Sequence, residues 1–177
     1  PLLASHVLWL NLISDGFLDS ALALEPKHES TRSVLHSKEK LSLIDRYLIM
    51  RIFYQALIVG SLSFYFFTCY YEQDMLLART MTMACMTTLQ WFMALHCRSL
   101  YSSLFSMPLY NNKWLLLVLI GIPLGLLLLM YTSFGQLIFS IVPLSFTHWK
   151  QLLTVGFGVM FLEELRKRAA AHFFKVD

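Results

Sequence analysis

The segment His6-Val-Leu-Trp-Leu-Asn-Leu-Ile-Ser-Asp-Gly16 sets an acid, Asp15, inside an apolar run, and a second acid, Asp19, follows four residues later. An ionised carboxylate at bilayer depth costs at least about 3 kcal/mol. A sequence keeps one there when a cation, a proton or a partner charge offsets that cost. At helical spacing Asn11, Asp15 and Asp19 stand at i, i+4 and i+8, so their oxygens stack on one face with Ser14 at its flank. A row of oxygen donors suits a hard cation.

The elements that must position this row are set by composition. Of 177 residues, 57% are hydrophobic and only 14% charged, against about 25% charged in a soluble domain. Mean hydropathy is +0.59. The apolar segments run to about 20 residues rather than alternating in ten-residue strands, which predicts an all-α, polytopic helical membrane domain and excludes a barrel. Five spans are expected, over about 2–24, 47–70, 80–97, 114–131 and 149–165. The first should end at Glu25-Pro26, since proline cannot continue a helix. The fourth, with no ionisable group between Leu115 and Met130, should face lipid most. The first segment has acids in its middle and no charged start, so it is not a secretory signal, and the lack of an initiator Met reads as a piece of something longer. Cys69, Cys85 and Cys97 read as packed thiols, not a disulfide framework.

Twelve of the 14 Lys and Arg residues fall in the connectors after the first and third spans, at their boundaries, or in the tail; Arg79 and Lys150 alone fall on the other side. The positive-inside rule therefore puts both connectors and the C-terminus in the cytoplasm. Because the basic residues sit at membrane boundaries, the net charge of +3 does not point to nucleic acid. Trp9, Trp114 and Trp149 are expected at about interfacial depth.

The run Leu8-Trp-Leu-Asn-Leu-Ile-Ser-Asp-Gly16 closely resembles the sixth transmembrane helix of type II P-type cation-transporting ATPases, the group of calcium and sodium/potassium pumps. Gln90-Trp-Phe-Met-Ala-Leu-His-Cys-Arg-Ser99 resembles their eighth helix, and Phe161-Leu-Glu-Glu-Leu-Arg-Lys167 the acidic-then-basic end of the tenth. The likeness covers nearly the whole chain in order. It departs at Leu18-Asp19, where a proline is common, and at Met93, where an asparagine is usual. The resemblance implies helices six to ten of the pump's membrane domain, the first of them locally unwound near 14–16 and packed on the third span through Gln90. It further implies cation ligation by Asn11 and Asp15, assisted by Ser14, with Gln90 at the ligand position of the eighth helix. A neutral amide at Gln90 favours a single-site pump or a monovalent or differently hydrated ion. The cation could be Ca²⁺, Mg²⁺, Na⁺, K⁺ or H⁺. The partners implied are the lipid bilayer, the cation, and the N-terminal remainder of the pump: helices one to five and the cytoplasmic domains.

No Asp-Lys-Thr-Gly-Thr phosphorylation motif and no nucleotide-binding domain occurs in the chain, so it needs no cofactor itself. ATP and Mg²⁺ would serve the parent pump elsewhere. Asp19 reads either as an entry group or as a wetted boundary residue. Thr87 and Thr88 should bond back to their own helix, and His6 and His96 should be interfacial. Glu163-Glu164 should balance Arg166-Lys-Arg168 at a membrane exit, and the Met81–Met86 patch should be packing. Two other readings compete. In one, a secondary transporter or channel uses Asp15 and Asp19 as a relay; in the other, the chain is a non-transporting scaffold.

Overall fold

The computed structural model describes residues 2–24, 46–98 and 109–173, and among them there are helices and no strands. The expected Glu25-Pro26 exit, the basic connector over 27–43 and positions 99–108 of the connector from Arg98 to Lys113 lie outside the described residues. The first rod comprises α1 (Ala4–Leu8), a π-helical turn over Trp9–Asp15 and α2 (Gly16–Ala23). Then come α3 (Arg46–Tyr71), α4 (Met75–Cys97), α5 (Lys113–Tyr131), the short α6 (Ser133–Phe139) and α7 (Phe146–Phe173).

The local unwinding expected in the first span is present as the π turn. It begins earlier than expected, at Trp9, and the rod bends back into α-helix at Gly16 without breaking. The Gly16 N–H bonds to the carbonyl of Asn11, five residues back. A β-carbon on Gly16 would lie 3.3 Å from that carbonyl oxygen, so glycine suits the widened turn.

Helix α4 is the centre of the bundle. It pairs with α3 as an antiparallel hairpin whose turn is closed by Asp74, which accepts from Leu76 N at 2.8 Å. The first rod, α5 and α7 pack around its other sides. Thirteen of its 23 residues are buried, including six in a row from Thr80 to Cys85. Two of its threonines are satisfied within the helix and need no partner from a neighbour. Thr80 and Thr82 hydroxyls donate back to Leu76 and Ala78 carbonyls, and Met81, Met83 and Cys85 fill the core. The three cysteines are free thiols, with Cys85 buried.

By length and composition, residues Leu48–Tyr71 and Lys113–Tyr131 are the two described helices able to cross a membrane. The order of exposure is the reverse of that expected: the apolar stretch of α3 is 11% buried and that of α5 is 28% buried. Polar groups are not needed for helix packing in lipid, where van der Waals fit suffices. A stripe of Leu115, Leu119, Ile122, Leu126 and Met130 turns one face of α5 inward. Helix α3 instead leaves Phe53, Leu57, Phe64 and Tyr65 on an open face.

Candidate functional site

The π turn distributes the predicted site residues between two sides of the first rod. Ser14 is fully buried against α4, where its hydroxyl donates to Gln90 Oε1 at 2.8 Å. Asn11 and Asp19 are exposed and Asp15 is half-buried, on a side that no other described helix covers. Asp19 follows Asp15 by four residues, about one turn along the rod. The structure therefore brings Ser14 and Gln90 together and leaves Asn11, Asp15 and Asp19 facing outward. Among the described residues no group of three or more His, Cys, Asp or Glu side chains could hold a metal ion. A cation at Asp15 would need oxygens from elsewhere to complete its shell.

Around this pair the rod is fixed by contacts that sequence reading placed differently. Trp9, expected at the interface, is 6% exposed and lies in the core. Its indole N–H donates to Thr87 Oγ1 at 3.2 Å and its ring meets Phe139 edge-on at 6.2 Å. Thr87 thus serves the first rod as an acceptor. His6 is also buried, not interfacial: Nδ1 accepts from Leu3 N and Nε2 donates to the Phe139 carbonyl at 2.6 Å. Both side chains bury because each finds a polar partner on another element. Asn112 ties the rod's other end. Its Oδ1 caps α5 by accepting from Leu115 N, and its Nδ2 donates to the Ala21 carbonyl at 2.8 Å. Only the paired Asn111-Asn112 ahead of an apolar run hinted at that cap.

In a second polar cluster Glu163 pairs with Arg166 and Glu164 with Arg168, the charge balance expected of this segment, but its burial and its link to α3 were not expected. Glu163 and Glu164 are 3% and 7% exposed, so they are interior groups and not boundary ones. Arg51 Nε on α3 bonds Glu163 Oε1 at 3.1 Å, while Arg166 grips both Glu163 oxygens at 2.8 Å. Arg51 Nη2 and Lys167 Nζ both donate to the His96 carbonyl, at 3.2 and 3.1 Å. Two cations thereby satisfy a carbonyl in the last turn of α4, at the negative end of its dipole. The available signal was the i, i+3 and i+4 spacing of Glu163, Arg166 and Lys167; nothing local pointed to Arg51.

An all-α bundle with two long apolar helices among its described residues defines the class: a helical integral membrane domain. The chain belongs to the family described as cation transporting ATPase, C-terminus, whose model matches residues 1–169. It is similar to calcium-transporting ATPase type 2C member 2 of Rattus norvegicus, 31% identical over 170 residues, covering 94% of this chain and 18% of that protein. Calcium-transporting ATPase 1 of Schizosaccharomyces pombe is 27% identical over 169 residues, covering 94% and 19% respectively. The endoplasmic reticulum calcium ATPase srcA of Aspergillus fumigatus is 24% identical over 201 residues, covering 95% and 21%. The chain thus spans about a fifth of the length of these relatives.

Proposed function

We propose that this chain supplies the C-terminal half of the membrane domain of an ATP-driven cation pump and contributes part of the cation site. Asp15 gives the charged oxygen and Asn11 a neutral one. Ser14 and Gln90 hold the π turn against α4, and Gln90 Oε1 keeps a second lone pair for the ion. Asp19 is the entry group. The names of the relatives favour Ca²⁺ as cargo. ATP and Mg²⁺ chemistry belongs to the remainder of the pump, which packs over the open side bearing Asn11, Leu12, Asp15 and Phe17. The positive-charge asymmetry puts the C-terminus in the cytoplasm.

The observation that carries this reading is the pairing of a π turn with a carboxylate at its last residue. Such turns widen the helix and concentrate at functional positions, and irregular backbone in a membrane is tolerated where it is buried in protein or lines a path. In the full-length pump Asp15→Asn keeps shape and removes charge. Cation-dependent phosphorylation from ATP should be lost while expression and membrane insertion persist. ATP-driven uptake in proteoliposomes that survives Asp15→Asn unchanged would remove this residue from the ion path.

A further inference from the structure

Buried polar atoms without a partner are costly, about 1–3 kcal/mol each, and here two side chains bearing such atoms line one small cavity from different helices. His96, near the end of α4, is 1% exposed, and neither ring nitrogen has a hydrogen-bond partner among the described residues. Gln55 Nε2, one turn along α3 from Arg51, is equally buried and unpartnered. Both residues line a cavity whose remaining walls include Tyr54, Phe92, Val159 and Glu163. The third polar wall, Glu163, uses three of its roughly four acceptor positions on Arg51 Nε, Arg166 Nε and Arg166 Nη2.

Size and charge decide what fits. A water centre has about 10 Å³ in which to move, so the cavity admits a water-sized molecule with little room to spare. A bulkier anion does not fit that space. A metal cation would sit beside Arg51, whose Nε is 3.1 Å from Glu163 Oε1, and near Lys167, whose Nζ is 3.1 Å from the His96 carbonyl. Water carries no charge and has two donors and two acceptor positions, which matches the walls. We infer that the cavity between α3, α4 and α7 is a built hydration site for one ordered water. That water accepts from Gln55 Nε2–H and donates to one His96 ring nitrogen and to the free position on Glu163. It joins three helices through one molecule and extends the Arg51–Glu163 cluster into a three-helix clamp.

The alternative is a dry cavity, and the two differ in the sign of a mutational effect. In the full-length protein, His96→Phe and Gln55→Met keep volume while deleting the polar atoms. If water is bound, each substitution breaks a hydrogen bond and lowers the thermal midpoint by about 2–4 °C. If the cavity is dry, each removes an unsatisfied group and the midpoint stays or rises, which overturns the inference. A high-resolution cryo-electron microscopy map of the wild-type protein in lipid nanodiscs should show a peak within hydrogen-bond distance of Gln55 and His96. A well-resolved map without one overturns it too, even if His96→Phe fails to assemble.

Discussion

Ser14 Oγ lies 2.8 Å from Gln90 Oε1, joining the π turn of the first rod to the centre of α4 across 76 residues of sequence. Ser14 is fully buried and Gln90 half-buried, and the hydrogen bond holds the first rod against α4. Ser14→Ala removes the only side-chain donor to Gln90 Oε1 among the described residues, at a cost of about 1 kcal/mol. The full-length pump should still phosphorylate, with an apparent cation affinity lower by about fivefold. An unchanged cation titration of phosphoenzyme formation would separate this pair from the ion site.

Gln90→Glu tests the same position from the other side. An added carboxylate beside Ser14 brings a charge that competes for protons as well as cations. The apparent affinity should become more pH-dependent than in the wild type, weakening as pH falls. Cation titrations at pH 6 and pH 8 measure this directly; parallel curves for both proteins would place Gln90 outside the ligand shell.

Asn11 and Asp19 should rank below Asp15. A neutral oxygen contributes less than a charged one, so Asn11→Ala should lower cation affinity without abolishing phosphorylation. Asp19→Asn should be milder in its effect on affinity and should slow cation entry, read as a slower onset of phosphorylation on cation addition. A loss of function as complete as that of Asp15→Asn would make the two acids a relay.

Asn112→Ala should destabilise the bundle without touching the ion path. It removes the α5 cap and leaves the Ala21 carbonyl without its donor, together about 2 kcal/mol. Gly156→Val should cost more. A β-carbon there would run into the buried Phe92 ring, so the ring would have to shift or α4 and α7 move apart. Thermal unfolding of the full-length protein in detergent should rank the midpoints wild type, Asn112→Ala, then Gly156→Val.

Burial pushes the Lys167 ammonium down from its ordinary 10.5 to about 8, helped by Arg51 and opposed by Glu163 and Glu164. Between about pH 8 and 10.5 the unfolded chain then binds more protons at this site than the folded one, so the contribution to stability rises with pH through that window. Below pH 8 the full cost of burying the cation is present. Lys167→Met removes the titration, so the difference in unfolding midpoint between it and the wild type should change between pH 8 and 10. A constant difference would show that Lys167 keeps its proton throughout.

The sequence by itself determined the class of molecule and the position of Asp15. Hydropathy and segment length are local quantities, and an acid within an apolar helix is visible without neighbours. The irregularity of the first rod was legible through the family resemblance of Leu8–Gly16, since spacing alone does not mark a widened turn. Tertiary structure alone decided which faces turn inward. Trp9 and His6 bury because Thr87 and the Phe139 carbonyl, 78 and 133 residues away, accept their hydrogen atoms. Glu163 is interior because Arg51, 112 residues earlier, meets it from α3. The greater burial of α5 relative to α3 has the same origin. An apolar helix carries no local mark of whether lipid or protein will cover it, since both are equally favourable surroundings for leucine; the packing of its neighbours makes that choice.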